Sequence, residues 1–186
     1  WVVRPVSFIR AASEFEATLS WNPNFSYAFM ADRTRTLDVS PYNLRHLRGL
    51  INCAEPVTPS SEHRFREHFR DCGLRDDVFW GCYAMAETTF ALTHGTPVSD
   101  GDRISVGRQL PGVEMLIMAA DDREAAEGEV GEFHVRSPFQ AEGYFENAEA
   151  SSAAFRGDWY VTGDLGYRRG DQYFVCGRKK DVLIAG

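Results

Sequence analysis

Three features that would point to common protein classes are scarce or missing in this sequence. Only four cysteines occur, none of them in a Cys-x-x-Cys pair: Cys53, Cys72, Cys82 and Cys176. This argues against a zinc site or a disulfide framework and favours reduced thiols in the cytoplasm. No apolar run approaches the roughly 20 residues that span a bilayer, and no segment has the pattern of a secretory signal. Lys and Arg number 20 against 27 Asp and Glu, and the net charge of −7 argues against a nucleic-acid-binding module.

What is present is typical of a globular protein. Hydrophobic residues make up 44% of the 186 residues and charged residues 25%. A chain of this length and composition can bury a sizeable core as one domain or as two small subdomains. The sequence starts at Trp1 and stops at Gly186, shortly after an apolar run. We therefore expect it to be a piece of a longer protein.

The first 95 residues alternate between helix and strand patterns. The predicted segments are a helix over 7–17, a strand over 18–21, a helix from Asn24, a strand within 44–52, a helix from Pro59 and a strand over 78–83. The second helix is expected to bury Phe25, Ala28 and Phe29. Because helices and strands alternate, this half is predicted to form a parallel α/β sheet.

The pattern changes after about Gly95. Short apolar segments follow one another between Gly and Asp turns: 113–119, 132–136, 159–161, 172–176 and 182–184. One helix is predicted over 148–155 after Asn147, and an exposed hairpin loop over 121–131. These features predict a β-rich subdomain, either a distorted barrel or a small antiparallel sheet. The predicted fold class is thus α/β, with an α/β unit over 1–95 and a β-rich unit over 96–186.

Two strands of the first unit are followed by residues that could carry chemistry. Residues 53–56 follow one strand and residues 83–89 follow the other, and open α/β sheets bind ligands at the carboxyl ends of their strands. Tyr83 could offer its ring face to a base, a contact worth about 1–3 kcal/mol. Glu87 could supply the oxygen that Mg²⁺ takes when it also binds phosphates. Taken alone, Tyr83 is equally well explained as a core aromatic and Glu87 as a charge at a helix start.

Asp164 directly follows Thr162-Gly163, a predicted tight turn that interrupts an aromatic strand. A carboxylate held on a rigid turn is suited to accept hydrogen bonds from a vicinal diol such as a ribose. Farther along, Gly177 ends a strand and is followed by three cations and an acid over 178–181. Either segment alone could also be an ordinary hairpin.

Together these segments resemble the adenylate-forming superfamily, which contains acyl-CoA synthetases, fatty-acyl-AMP ligases, peptide-synthetase adenylation domains and luciferases. Five motifs occur in the family's order: residues 53–56, 83–87, 128–132, 160–164 and 177–181. Residues 23–25 and 54–57 look most like the branch of fatty-acyl-AMP ligases and acyl-CoA ligases. The resemblance covers nearly the whole chain and implies part of the family's large domain.

The resemblance also implies roles for individual residues. Those implied to bind the nucleotide are Cys53, Ala54, Glu55, Pro56, Tyr83, Ala84, Asp164 and Arg178. In this reading Tyr83 stacks on adenine beside the backbone of the segment 53–56, and Asp164 binds the ribose hydroxyls with help from Arg178. Ala84 stands where the family usually has glycine, which could change the wall of the acyl pocket.

Three further residues are implied near the phosphates and the lid. Glu87 would be the catalytic and metal residue that binds Mg²⁺. Ala86 stands where the family usually has a threonine whose hydroxyl would contact the phosphate. Thr88 is the nearest substitute for that hydroxyl and is the second residue implied to be catalytic. Lys180 would be the hinge between the large domain and a mobile C-terminal lid.

The implied reaction is attack of a carboxylate on the α-phosphate of ATP, with coenzyme A as the expected acceptor of the acyl group. The only lysines are Lys179 and Lys180, so the family's lysine-containing phosphate loop and the lid's catalytic lysine are missing. We expect the chain to be inactive without the rest of the enzyme. The stretch 93–107 is short for the insertion of fatty-acyl-AMP ligases, which favours coenzyme A over an acyl carrier protein.

Three readings remain open from the sequence. The first is a carboxylate-activating ligase, whose acid could be fatty or aryl. The second is a module that binds a nucleotide or a partner without chemistry, which the alanines at 84 and 86 would suit. The third is a β-rich interaction domain, in which Asp164 and Arg178 are surface charges.

Overall fold

The computed structural model of the protein describes residues 2–182. The helices in this range are α1 (Val6–Glu14), α2 (Asn24–Thr34), α3 (Pro59–His68), α4 (Ala148–Ala154) and α5 (Lys179–Val182). None of these described helices is long and apolar enough to cross a membrane. A strand was predicted over 182–184, but residue 182 is the last residue of α5. Residues 183 and 184 lie outside the described range.

The strands are short in the middle of the chain and longer towards its end. They are β1 (Leu19–Pro23), β2 (Gly49–Cys53), β3 (Phe79–Ala84), β4 (Ala91–Gly95), β5 (Ser99–Asp100), β6 (Arg103–Ile104), β7 (Arg108–Gln109), β8 (Glu114–Met118), β9 (Gly131–Arg136), β10 (Phe155–Arg156), β11 (Trp159–Arg169) and β12 (Gln172–Arg178). Single turns of 3₁₀ helix occupy Arg70–Cys72 and Ala86–Thr88.

The first sheet has the strand order β1-β2-β3-β4-β7. β1, β2 and β3 are parallel, as predicted, while β4 and β7 are antiparallel to their neighbours. All five residues of β2 are buried, because helices or loops cover both faces of a central parallel strand. The α/β class is therefore confirmed, in the form of a mixed sheet.

The second sheet is antiparallel, with the order β10-β11-β9-β8 and with β12 paired to β11. The sheet is open, and residues 2–182 form no closed barrel, so of the two predicted forms the small antiparallel sheet is the one observed. The hairpin loop between β8 and β9 and the helix after Asn147 are present as expected. The division at residue 95 stays a prediction, since β7 adds residues 108–109 to the first sheet.

The buried face of α2 differs from the predicted one. Phe25 is 48% exposed, whereas Tyr27 and Met30 are fully buried. Tyr27 packs its ring against Phe79, with a centroid distance of 4.9 Å. The polar residues Ser26 and Thr34 lie inside because their hydroxyls donate to the carbonyls of Pro23 and Met30, at 2.6 and 2.7 Å. A search for apolar spacing alone misses such a face.

A shared core joins the two sheets. Tyr83 and Leu92 from the first sheet pack in one cluster with Val106, and with Phe133 and Tyr173 from the second sheet. A backbone hydrogen bond also joins the segment before β7 to β12: Val106 N–H donates to the Tyr173 carbonyl at 2.8 Å. As a result, the carboxyl end of β3 lies beside β11 and β12.

Candidate nucleotide-binding site

A cavity of about 170 Å³ lies where the ends of β2 and β3 meet β11 and β12. Its lining consists of Ala54, Glu55, Pro56, Cys82, Tyr83, Ala84, Val106, Asp164, Val175, Gly177 and Arg178. All the residues predicted to bind a nucleotide are in this set except Cys53. Cys53 instead lies in a small buried cluster with Ile51 and Cys82.

Tyr83 and Asp164 meet in this cavity although they are 81 residues apart in the sequence. The Tyr83 hydroxyl donates to Asp164 Oδ2 at 2.6 Å, and both residues are less than a tenth exposed. Burial and the neighbouring carboxylate raise the pKa of Tyr83 well above its ordinary value, so the phenol stays protonated as a donor. The structure therefore brings Tyr83 and Asp164 together, as is required if both residues bind the same nucleotide.

Asp164 is held from three directions. Arg178 Nε lies 2.9 Å from its Oδ1, and the two residues face each other across the β11–β12 pair. The backbone amide of Asp164 donates to Thr162 Oγ1 at 3.0 Å, and the Thr162 hydroxyl donates to the Phe133 carbonyl at 2.9 Å. A carboxylate fixed in this way presents its remaining lone pairs in a defined direction.

The turn predicted at Thr162-Gly163 is a bulge within one continuous strand. The pairing of β11 with β9 shifts register between Val161 and Leu165, and Gly163 has a φ of +72°. A residue without Cβ adopts this left-handed conformation at little steric cost. The bulge re-aims the strand at Asp164 without ending it.

The wall formed by residues 54–56 is tied to the start of α2. Glu55 Oε1 accepts a hydrogen bond from the Phe25 backbone amide at 2.5 Å. Asn24 bonds both the backbone amide and the hydroxyl of Thr58, at 3.3 and 3.2 Å. One oxygen of the Glu55 carboxylate is therefore used at the helix start, while residues 54–56 line the cavity.

A buried polar network behind this wall was not predicted from the sequence. Asn52 Nδ2 donates to Asn24 Oδ1 and to Glu62 Oε1, each at 3.1 Å. Asn52 is fully buried, and its Oδ1 has no hydrogen-bond partner among the described residues. Burial raises the pKa of Glu62, partly offset by Asn52 and Arg66. The sequence signal was a single asparagine within the otherwise apolar run of β2.

Glu87 lies on the 3₁₀ turn after β3, outside the cavity lining. Its Oε1 accepts from the Tyr144 hydroxyl at 2.8 Å, and the Tyr144 and Tyr160 hydroxyls are 3.2 Å apart. Burial acts to raise the pKa of Glu87, but hydrogen bonds from its own backbone amide and from both tyrosines outweigh it and lower the pKa. The carboxylate is therefore ionised at neutral pH. Sequence reasoning missed both tyrosines.

The described residues include no group of three or more His, Cys, Asp or Glu side chains that could bind a metal by themselves. Mg²⁺, however, is commonly held by one or two carboxylates, with phosphate oxygens and waters completing its shell. A single ionised carboxylate fits that mode.

Besides Cys53 and Glu87, two further predicted residues lie outside the cavity lining. Thr88 is fully buried, and its hydroxyl lies 3.4 Å from the carbonyls of Met85 and Phe90. Lys180 is exposed in α5, where it lines a shallow hollow with Gly163 and Arg178. The roles predicted for Thr88 and Lys180 stay predictions.

Comparison with known proteins identifies the family. The family described as "AMP-binding enzyme" matches residues 5–145. The chain belongs to this family of adenylate-forming enzymes.

Two curated relatives and one solved structure illustrate the similarity. The 4-hydroxyphenylalkanoate adenylyltransferase of Mycobacterium marinum is 29% identical, over 97% of this chain and 35% of that protein. The medium-chain-fatty-acid–[acyl-carrier-protein] ligase JamA of Moorena producens is 27% identical, over 98% of this chain and 37% of that protein. The fatty acyl-adenylate ligase of Legionella pneumophila, solved with acyl adenylate and pyrophosphate, matches with a TM-score of 0.90 and 27% identity, over 98% of this chain and 38% of that chain. This chain thus spans little more than a third of these relatives.

Proposed function

We propose that this chain binds the adenosine part of ATP and that the enzyme to which it contributes activates a carboxylic acid. In that reaction an oxygen of the acid forms a bond to the α-phosphorus of ATP. The bond from this phosphorus to the β-phosphate oxygen breaks, so that acyl-adenylate and pyrophosphate result. The observation that carries the proposal is the convergence of Tyr83 and Asp164 on one cavity.

The cavity offers each part of a nucleoside a matching group. Asp164 accepts hydrogen bonds from the ribose hydroxyls, and the Arg178 guanidinium holds its carboxylate in place. The ring of Tyr83 and the backbone of residues 54–56 enclose the base. No protein nucleophile is required, because positioning the reactants and neutralising phosphate charge account for this kind of catalysis.

Glu87 is proposed to hold the Mg²⁺ that accompanies ATP. The cation would neutralise part of the charge on the phosphates, and Glu87 would bring it to them with one ionised carboxylate. Lys180 is proposed as the hinge residue, and Thr88 as the nearest substitute for the phosphate-contacting hydroxyl that Ala86 lacks.

The acid is proposed to be fatty or aryl and the acceptor to be coenzyme A. The names of the two relatives, a hydroxyphenylalkanoate adenylyltransferase and a fatty-acid ligase, support both kinds of acid. For the acceptor, the segment between β4 and β7 holds only the two-residue strands β5 and β6, which leaves little room for an insertion. The carrier-protein acceptor in the name of the second relative supports the alternative, transfer to an acyl carrier protein.

A second candidate function is nucleotide binding without chemistry. The alanine at position 86 and the confinement of lysine to positions 179 and 180 favour it. Both functions share the adenosine site, so they differ only in turnover.

The adenosine site is tested by comparing adenosine with 2′,3′-dideoxyadenosine in calorimetric titrations of the chain. We expect adenosine to bind more tightly, since only it can donate to Asp164. Asp164→Asn should weaken adenosine binding about 10-fold or more, the size of a hydrogen bond to a charged group, and should leave the dideoxynucleoside nearly unaffected.

Asp171→Asn is the matched control, because Asp171 is an exposed carboxylate whose nearest cation, Arg108, is 3.7 Å away. This variant should bind both nucleosides like the unmodified chain. If the unmodified chain bound the two nucleosides equally well, the assignment of Asp164 to ribose would be wrong.

A further inference from the structure

Two tyrosine hydroxyls converge on the carboxylate of Glu87. The Tyr144 hydroxyl donates to Glu87 Oε1 at 2.8 Å and lies 3.2 Å from the Tyr160 hydroxyl. The three side chains come from separate places: the 3₁₀ turn after β3, the loop between β9 and α4, and β11. Such a chain of donors fixes the direction in which a carboxylate presents its free lone pairs.

Phe155 packs against the rings of both tyrosines. Phe155 meets the Tyr144 ring edge-on at a centroid distance of 5.6 Å and the Tyr160 ring at 4.9 Å. Tyr160 is 6% exposed, so its hydroxyl has little freedom to move. A donor that is held by aromatic packing loses little further freedom when it forms its hydrogen bond.

The loop that carries Tyr144 is also tied to the turn that carries Glu87. The Ala141 backbone amide donates to the Glu87 carbonyl at 2.7 Å, and the Thr89 hydroxyl donates to the Phe139 carbonyl at 2.9 Å. Two contacts therefore keep the loop and the turn in register. The side-chain bond from Tyr144 is not needed for that purpose alone.

From this geometry we propose that Tyr144 and Tyr160 are positioning residues, which orient the Glu87 carboxylate towards the divalent cation bound with ATP. The inference rests on the proposed function, since it assumes that Glu87 holds that cation. The tyrosines act through Glu87 and touch neither the cation nor the phosphates. A purely structural role would affect stability but not the dependence of nucleotide binding on Mg²⁺.

The test is to measure the affinity of the chain for a non-hydrolysable ATP analogue at increasing Mg²⁺, and for AMP without Mg²⁺. Mg²⁺ should increase the affinity for the analogue. In Tyr144→Phe the Mg²⁺ concentration that gives half of this increase should be roughly 5- to 10-fold higher, as for the loss of one hydrogen bond to a charged group. Tyr160→Phe should shift it in the same direction, and the double variant by less than the combined shifts because the hydroxyls form one chain. AMP binding should stay within about 2-fold.

Tyr167→Phe is the matched control. Tyr167 lies in the same strand as Tyr160 and donates to the carboxylate of Asp100 at 2.7 Å, away from Glu87. It should leave the Mg²⁺ dependence unchanged. Because Tyr160 is buried and its variant could fail to fold, the more exposed Tyr144 is the deciding position, with the unfolding midpoint of each variant measured beside it.

Three outcomes would overturn the inference. One is an unchanged Mg²⁺ dependence in folded Tyr144→Phe, and another is a loss of AMP affinity equal to the loss of analogue affinity, as expected for a merely structural role. The third is that the unmodified chain binds the analogue equally well with and without Mg²⁺. That result would contradict the role of Glu87 but not the proposed adenosine site. If the unmodified chain bound neither AMP nor the analogue, the proposed function itself would fail, so the two failures are distinguishable.

Discussion

Ala54 has an unfavourable backbone conformation at the cavity wall. Its φ is +75°, in the left-handed region that costs a residue with a Cβ about 1–2 kcal/mol. The bonds made by the neighbouring Glu55 and Thr58 to the start of α2 hold the segment in place. Strain of this kind persists where the surroundings determine the backbone from several sides, which is common at binding sites.

Replacing Ala54 with glycine should stabilise the protein. Ala54→Gly removes the Cβ that is strained at positive φ, while glycine costs about 0.5–1 kcal/mol in unfolded-chain entropy. The expected net gain in the free energy of unfolding is about 0.5 kcal/mol, measured by urea denaturation.

Ala153→Gly in α4 is the control with the opposite sign. Ala153 is exposed in a helix, where the same substitution costs up to about 1 kcal/mol. If both variants lost stability to the same extent, the left-handed conformation of Ala54 would not be a source of strain.

At the scale of elements, the junction of β1, β2, α2 and α3 is polar although it is buried. Asn24 at the start of α2, Asn52 in β2 and Glu62 in α3 are each less than a tenth exposed and are joined by hydrogen bonds. Buried polar groups must be paired to avoid the cost of desolvation. The network therefore fixes the ends of these elements relative to one another, and with them the wall over residues 54–56.

Glu62 should make stability fall as pH rises. Burial raises its pKa above the ordinary value of 4.5, so the folded protein binds a proton that the unfolded chain has already lost. This group makes its whole contribution to the free energy of unfolding below pH 4.5. The contribution is lost as pH rises through the raised pKa. Glu62→Gln keeps an oxygen acceptor for Asn52 and removes the titration, so its stability should lack this decrease.

The measurement is urea denaturation of both proteins between pH 4 and 7, with the difference between them plotted against pH. Glu67→Gln, at an exposed position in the same helix, is the control and should show no such trend. A difference between Glu62→Gln and the unmodified chain that stays constant across this range would contradict the assignment.

At the scale of the whole molecule, the site exists only because two sheets share a core. Tyr83 and Leu92 from the first sheet pack in the same cluster as Phe133 and Tyr173 from the second. The cavity lies at this junction, with residues 54–56 on one side and Asp164 and Arg178 on the other. A protein that contains only one sheet would hold half of the proposed nucleoside site.

Turnover should require more than this chain. The chain spans little more than a third of its curated relatives, and lysine occurs only at 179 and 180. We expect the chain to bind adenosine without exchanging pyrophosphate into ATP. The enzyme with its remaining domains should exchange pyrophosphate and, given coenzyme A, form acyl-CoA.

The assay measures labelled pyrophosphate exchange with fatty and aryl acids, followed by product analysis with coenzyme A or a carrier protein. Asp164→Asn in the larger enzyme serves as the control with weakened nucleotide binding. Exchange by the chain alone at the rate of the larger enzyme would contradict the first expectation. Acyl transfer only to a carrier protein would contradict the second.

The sequence by itself determined the order of the elements from α1 to β3 and the α/β class, and its motifs named most of the residues that line the cavity. The elements and the class follow from local properties, since apolar spacing sets the elements and alternating helices and strands indicate a parallel sheet. The cavity residues were implied by the resemblance of five motifs to the adenylate-forming superfamily. The motif residues could be named because each motif is contiguous in the chain.

Only the tertiary structure decided which groups meet. Spacing could not show that Tyr83 donates to Asp164, that Tyr144 and Tyr160 reach Glu87, or that Thr88 is buried. Apolar spacing also predicted the wrong buried face for α2, because polar side chains of this helix donate to backbone carbonyls inside the core. The reason is physical: local periodicity is set by backbone geometry, whereas contacts between distant residues depend on how whole sheets pack.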